Sequence, residues 1–359
     1  MIKKREPVVV AMSGGVVSSV TAGLLLEEGH PVIGATLLFR PYVDDESVNW
    51  CCGAGALEAA RSVSKTLGIA HHALDCAAEF EEQVLRPAWN EYDRGRTPSP
   101  CIACNERIKF GILIELAKKL GATKVASGHY ARIDRSDDGK STRLLRGVDR
   151  RKDQSYFLFS LTSKQLDSIL FPLGDLQKSE VRRLARKMGF SNADRPDSQD
   201  ACFVYKDEGF AEGLRRRFDA EARPGRVLDS NGTDLGKHPG IHRFTIGQRK
   251  GLGIALGHRA YVSRIDATRA EVVLSSDESF LMTDFLTASE ISWKDGERPA
   301  LPMRVQVKIR YRHEAAEAML DEENGRATVR FDEPQRAVTP GQAAVFYDGE
   351  CVVGGGWIE

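Results

Sequence analysis

Cys101 and Cys104 stand three positions apart, directly after the stiff segment Gly95-Arg96-Thr97-Pro98-Ser99-Pro100 and directly before a helical pattern. Thiols in that setting can act as nucleophiles or metal ligands, because a helix N-terminus favours the thiolate and the thiolate is the reactive form. A closed zinc site needs four ligands. With no second Cys-x-x-Cys in the sequence, it has to borrow Cys51, Cys52 or Cys202. Cys202 lies in the polar stretch Pro196-Asp197-Ser198-Gln199-Asp200-Ala201, just before Phe203, where taken alone it also reads as a core residue. The second chemical signal is Val8-Val-Val-Ala-Met-Ser-Gly-Gly-Val-Val-Ser-Ser19, an apolar strand running through Ser-Gly-Gly into a helix. Glycines there let backbone N–H groups approach phosphate oxygens, and the helix N-terminus adds partial positive charge. The missing Gly-Lys-Ser/Thr argues against an ordinary P-loop, and the missing Gly-x-Gly-x-x-Gly against a dinucleotide fold. A glycine-rich turn without a ligand is the plainer reading of these residues alone.

At 359 residues the chain is too long for one core, so two or three domains are expected. Lys plus Arg equal Asp plus Glu at 51 each, so a nucleic-acid partner has to meet segregated basic patches rather than a basic protein. No apolar run approaches the roughly 18 residues of a membrane span, and Met1–Arg5 leads into a strand, not a signal peptide. Seven cysteines in such a chain point to reduced thiols in a cytoplasmic enzyme with no membrane partner. Strands are predicted at Val8–Ala11, Val32–Phe39, His72–Leu74 and Lys124–Ala126. Helices are predicted at Val20–Glu28, Leu57–Leu67, Phe80–Tyr92 and Ile112–Leu120. That alternation predicts an α/β domain, a parallel sheet with helices on both faces and a ligand at the strands' C-terminal ends. A hairpin of Ala131–Asp134 with Thr142–Leu145 follows, then helices near Ser163–Leu170 and Lys178–Met188. Short β segments at Arg226–Leu228, His242–Ile246, Ala260–Ile265 and Glu271–Leu274 predict a small, mostly β central domain. Arg304–Arg310, Ala315–Leu320, Ala327–Phe331, Ala343–Tyr347 and Cys351–Val353 predict a C-terminal β-barrel. The expected boundaries are 1–205, 206–283 and 284–359.

Several segments, in order along nearly the whole chain, together resemble the tRNA-specific 2-thiouridylases of the PP-loop (N-type ATP pyrophosphatase) superfamily. They are Met12–Ser19, Gly95–Cys101, Cys104-Asn105 with Ile108-Lys109-Phe110, Ser127–Arg132 and Lys152–Tyr156. They continue with Asp197-Ser198-Gln199 with Cys202-Phe203, Phe244–Leu252, Arg310-Tyr311-Arg312 and Pro340-Gly341-Gln342. The resemblance implies a PP-loop domain of the adenine-nucleotide alpha-hydrolase-like type and a two-stage reaction. ATP, with Mg2+, adenylates the C2 oxygen of uridine 34, and a persulfide sulfur then displaces AMP. It assigns ATP binding to Ala11, Met12, Ser13, Gly14, Gly15, Val16, Val17 and Ser18, with Leu37 and Gly128. Cys104 matches the family's nucleophile and Cys202 its persulfide carrier, a pair expected to finish as a disulfide. Ser99, Pro100 and Cys101 match the strip that meets the target base. His129, Lys152, Asp153, Gln154, Arg310, Tyr311 and Gln342 match tRNA contacts. The implied partners are the anticodon stem-loops of the tRNAs for Lys, Glu and Gln, and a sulfur-donor or relay protein.

Two positions depart from the family pattern. Val17 stands where the loop usually carries aspartate, and valine neither coordinates metal nor accepts a hydrogen bond. Impaired adenylation with partial ATP binding is the expectation. Cys101 stands where many relatives carry aspartate; with Cys104 and Cys202 it makes a three-thiolate set that suits a [4Fe-4S] cluster with one open iron. Persulfide and cluster-bound sulfide both remain open as the sulfur source. Two other functions compete: a different PP-loop ligase, which needs no cysteine pair, and a tRNA-binding relative whose adenylation is lost through Val17.

Overall fold

The structure is a computed structural model that describes residues 5–39, 48–49, 54–136, 141–194, 204–205, 209–294 and 298–359. Val8–Ala11 is the central strand of a five-stranded parallel sheet. The order across it is Ala70–Asp75, Val32–Leu38, Val8–Ala11, Lys124–Ala126 and Ile169–Leu170. Side chains alternate across a strand, so Val9 joins Leu37, Ile102 and Phe110 on one face, while Val8 and Val10 join Val16, Val20 and Val181 on the other. A strand buried on both faces reads as an unbroken apolar run, which is why Val8-Val9-Val10 shows no polar alternation.

Several elements differ from the sequence-based expectation for identifiable reasons. The first helix begins at Val16 rather than Val20, with extended Gly15 as its N-cap, so the loop between strand and helix is only 12–15. The expected helix 80–92 is broken into Ala77–Phe80, a π-helical turn Glu81–Leu85 and Arg86–Asp93. Pro87 lacks the N–H that an unbroken α-helix donates to the carbonyl of Gln83. The expected helix 163–170 ends at Asp167, and Ile169–Leu170 becomes the edge strand opposite Val125-Ala126. His242–Ile246 is not a strand: Ile241–Arg243 forms a 3-10 turn that buries His242 against the Glu212 carboxylate at 2.8 Å.

The central domain is a four-stranded sheet, Asp234–His238, Gly225–Asp229, Glu271–Ser275 and Tyr261–Asp266, over a small core of Val227, Phe244, Val262, Val272 and Leu274. Six later strands close into a barrel. In order they are Met282–Trp293, Arg326–Arg336, Ala316–Glu323, Met303–Lys308, Ala343–Asp348 and Cys351–Ile358, the last pairing back onto the first. The hairpin Ala131–Arg135 with Thr142–Arg146 leaves the first domain and adds to this sheet, Leu145 opposite Cys351.

The barrel meets the first domain where β-carbons are missing. A Cβ on Gly355 sits 2.6 Å from a ring carbon of Phe159 and 2.8 Å from the Ala344 carbonyl. Gly355→Ala is therefore expected to lower stability by about 1–3 kcal/mol through overpacking. Calorimetric unfolding of parent and variant checks it, and an unchanged Tm refutes this account of the junction.

Candidate active site

The loop after Val8–Ala11 turns its carbonyls away from its open side. The Met12 carbonyl accepts from the Thr36 hydroxyl at 2.7 Å, and the Gly15 carbonyl from the Ser18 and Ser19 hydroxyls, each at 3.0 Å. The Gly14 carbonyl accepts from the Asn192 amide at 2.9 Å. The first N–H groups of the helix that follows have no carbonyl a turn behind them, so they remain as anion donors. Glycine is required at position 14 twice over: φ is +71°, and a Cβ there sits 2.2 Å from the Ala56 carbonyl oxygen. Ala11 ends the strand, and Leu37 is buried one strand away. Gly128 packs directly on Val17, whose side chain lies 2.4 Å from the place of a Cβ at 128. A loop whose carbonyls are held by hydrogen bonds, followed by a helix N-terminus, fits a polyphosphate. Val17 carries no donor for a metal, and among the described residues no group of three His, Cys, Asp or Glu side chains is placed to hold one.

The cysteine segment is clasped from three sides. Arg96 pairs with Glu91 at 2.6 Å and donates to the Ile358 carbonyl at 3.1 Å. The Thr97 N–H donates to the Pro340 carbonyl at 2.9 Å, and the Thr97 hydroxyl meets that of Thr245 in the central domain at 3.0 Å. Gln342 donates its amide to the carbonyls of Thr97 and Pro98. Beyond Ser99, Pro100 opens the helical turn Pro100–Ala103, and Cys104, 4% exposed, begins the π-helical stretch Cys104–Phe110. Cys101 is half-buried on the preceding turn. Cys76 is buried close enough to feel Cys104, but burial above all, with Glu79, Asp75 and Cys104 nearby, pushes its thiol up to about 12. It stays protonated and unreactive. Cys202, together with Asp197–Gln199, lies outside the described residues, as do Cys51 and Cys52.

Ser127–His129 bridges the two halves. Gly128 touches the nucleotide loop, while the His129 ring meets Phe110 at 5.7 Å and Phe171 at 6.0 Å and bonds through Nδ1 to the Ser127 hydroxyl at 2.8 Å. Burial, with the Lys109 charge behind it, lowers the imidazole to about 3, so it is neutral at ordinary pH.

Three of the residues expected at the RNA make hydrogen bonds within the protein. Asp153 is 5% exposed, and its carboxylate accepts from the N–H groups of Gly147 and Ser155 and from the Ser155 hydroxyl, all at 3.0 Å. Gln154 exchanges two hydrogen bonds with the Tyr130 backbone, and Gln342 spends its amide on the cysteine segment. The Asp153 carboxylate, the Gln154 Oε1 and the Gln342 Nε2 therefore each brace the fold. Lys152, Arg310 and Tyr311 stay half-exposed; Arg310 donates to the Arg336 carbonyl, and the Tyr311 ring lies tilted against Phe157 with centroids 4.5 Å apart. Thr36 and Asn192, both hydrogen-bonded to the nucleotide loop, carry no motif that marks them in the sequence.

The family profile described as tRNA methyl transferase HUP domain matches residues 6–206. Those described as tRNA methyl transferase PRC-barrel domain and aminomethyltransferase beta-barrel domain match 215–276 and 283–358. The chain is similar to the tRNA-specific 2-thiouridylase MnmA of Acetivibrio thermocellus, at 46% identity over 99% of each chain. The enzyme of that name from Geobacter metallireducens is 45% identical over 99% of this chain and 98% of its own. A solved 4-thiouridine synthetase–RNA complex with bound ATP aligns at a TM-score of 0.38 and 17% identity, over 59% of this chain and 50% of that one. Among the described residues no helix is long and apolar enough to cross a membrane.

The depressed His129 pKa has a pH consequence. The unfolded chain protonates this imidazole near 6.5 and the folded one only near 3, so its stabilising contribution is complete above 6.5 and is lost as pH falls toward 3. His71, His238 and His313 are shifted in the same direction. The parent is expected to lose more Tm between pH 7.5 and 5 than His129→Gln does. Equal losses in the two proteins rule out the effect.

Proposed function

The chain belongs to the family of tRNA-specific 2-thiouridylases, and we propose that it thiolates uridine 34 of tRNA at C2, using ATP to activate the base. The observation that carries this reading is the bridge Ser127–His129, which packs on the nucleotide loop at Val17 and on the cysteine helix at Phe110. Adenylation and sulfur transfer then share one base position.

A carbonyl oxygen is a poor leaving group until it is phosphorylated. In the proposed first stage the uridine O2 attacks the α-phosphorus of ATP, the bond to the bridging oxygen breaks and pyrophosphate leaves. The loop's N–H groups receive the charge that builds on the phosphates. In the second stage the terminal sulfur of a Cys202 persulfide attacks C2 and AMP departs. Cys104 then attacks the Cys202 sulfur, leaving the thiocarbonyl on the base and a Cys104–Cys202 disulfide that an external thiol reductant must reopen. A sulfur-donor or relay protein reloads Cys202. The base leaves the anticodon stack to reach Ser99–Cys101, as in other base-modifying enzymes. Lys152, Arg310 and Tyr311 hold the anticodon stem-loop, and the substrates are the cytoplasmic tRNAs for Lys, Glu and Gln.

Magnesium in this reading arrives on the triphosphate, and no step is assigned to a protein-held ion. Val17 removes one anionic group beside the departing pyrophosphate, a loss on the order of a hundredfold in rate. The test is anaerobic thiolation of unmodified tRNA-Glu transcript with ATP, Mg2+ and a persulfide donor, whose outer sulfur passes to the Cys202 thiol with release of the donor thiol, followed by mass spectrometry of the nucleosides. The parent is expected to form 2-thiouridine slowly, Val17→Asp about a hundredfold faster, and Cys104→Ala and Cys202→Ala not at all. Product from Cys202→Ala sinks the persulfide route. A Val17→Asp protein no faster than the parent sinks the role given to Val17, and tRNA binding without product in either protein leaves only a tRNA-binding relative. Iron and acid-labile sulfide in anaerobically purified protein replace the persulfide with a cluster on Cys101, Cys104 and Cys202; absence of iron removes the cluster.

A further inference from the structure

The turn after the helix Lys178–Lys187 brings an amide side chain to the nucleotide loop from the far side of the fold. Gly23 lacks the Cβ that lies 2.6 Å from the Met188 sulfur, so the end of that helix closes onto the first helix. Phe190 and Ala193 are buried in the same apolar cluster as Val16 and Val20 and pin the chain on both sides of Asn192. Asn192 is 7% exposed. Its Nδ2 donates to the Gly14 carbonyl at 2.9 Å and to the Ser19 hydroxyl at 3.0 Å, and that hydroxyl donates in turn to the Gly15 carbonyl at 3.0 Å. The direction is forced, since a carbonyl only accepts. Its Oδ1 is buried without a hydrogen-bond partner among the described residues. A buried acceptor left without a donor is costly, and Ala193 shows that a small apolar side chain packs in this turn. Packing therefore does not account for an amide at 192.

We propose that Asn192 is a positioning residue for the nucleotide loop, holding the Gly14 carbonyl directly and the Gly15 carbonyl through Ser19 so that the loop's N–H groups face the triphosphate. This rests on the reading of that loop as the ATP site. A carbonyl that swings into the cradle sets its lone pairs against phosphate oxygens, so loss of the anchor weakens ATP binding ahead of any loss of fold.

The experiment is calorimetric titration of the full-length protein with ATP and Mg2+, together with tRNA affinity and Tm, for parent, Asn192→Ala and Asn192→Asp. Aspartate has nearly the same shape but no donor. Both variants are expected to bind ATP about tenfold more weakly while tRNA affinity stays within twofold. Ser19→Ala, which cuts only the relayed anchor, is expected to fall between them and the parent, and it stands in if the changes at 192 fail to fold. A lowered Tm with ATP affinity within twofold of the parent overturns the proposal and leaves Asn192 a packing residue. A parent that binds no ATP overturns the nucleotide reading instead. The anchor is then decided by amide hydrogen exchange at Gly14–Ser18 in the ligand-free protein, which Asn192→Ala speeds about tenfold if the proposal holds and leaves unchanged if it does not.

Discussion

Thr97 and Pro98 have no reactive group, yet four hydrogen bonds to them set where Cys101 and Cys104 stand. Three of those bonds come from Pro340 and Gln342 at the end of the barrel and one from Thr245 in the central domain. The approach is close enough that a Cβ on Gly341 lies 3.0 Å from the Thr97 nitrogen. Each bond contributes on the order of 1 kcal/mol net, less than the conformational entropy of ordering a loop residue. Their value is in agreement: bonds from two other domains converge on one dipeptide, and Pro98 and Pro100 remove most of the remaining freedom. The position of Cys101 and Cys104 thus depends on the whole chain being assembled, which ties a small barrel far along the sequence to the cysteine segment.

The nucleotide loop shows that the shape of an anion site and its charge are separable. Shape comes from glycine at 14 and 128 and from three carbonyls drawn back by Thr36, Asn192 and the Ser18–Ser19 pair. Val17 leaves this intact, because its side chain simply packs against Gly128. What valine does not supply, in the proposed reaction, is a carboxylate beside the pyrophosphate. Binding of the triphosphate and stabilisation of its departure therefore respond differently to the same residue. Preorganised dipoles serve both, whereas a charge placed at the leaving group serves the transition state in particular.

How far the sequence reveals this depends on range. Apolar periodicity placed the parallel strands to within a residue or two, because Val8–Val10 and Lys124–Ala126 are buried by their own pattern. The cysteine turn and glycine loop were legible because their chemistry is written in neighbouring residues. Apart from the break at Pro87 and the early start of the first helix, which have local causes, the differences are places where a distant partner overrides local preference. Ile169–Leu170 became a strand because Val125 and Ala126 presented an open edge. His242 entered a 3-10 turn because Glu212 lies thirty residues away in sequence but at hydrogen-bond distance in space. The strand Met282–Trp293 has mixed polar and apolar sites because the barrel pairs it on both sides, with Arg326–Arg336 and Cys351–Ile358. Asn192 belongs to the same class, since nothing near it in sequence announces the loop it holds.

Lys152-Asp153-Gln154-Ser155 shows how one short motif divides its work between surface and interior. Asp153 and Ser155 point inward, where the Ser155 hydroxyl also meets the Tyr347 hydroxyl at 3.2 Å and the Arg146 guanidinium lies over that tyrosine's ring at 3.9 Å. A buried carboxylate is tolerable only when its lone pairs are filled, and three donors from the chain on either side of Asp153 fill them. That network fastens the segment to the barrel strand carrying Tyr347. Lys308 on the neighbouring strand feels the Asp153 charge, although burial remains the larger influence on it. Lys152, half-exposed, follows directly before this anchored pair, and the Tyr311 hydroxyl also feels the Asp153 charge. The inward half of the motif thus sets the backbone geometry of the whole segment.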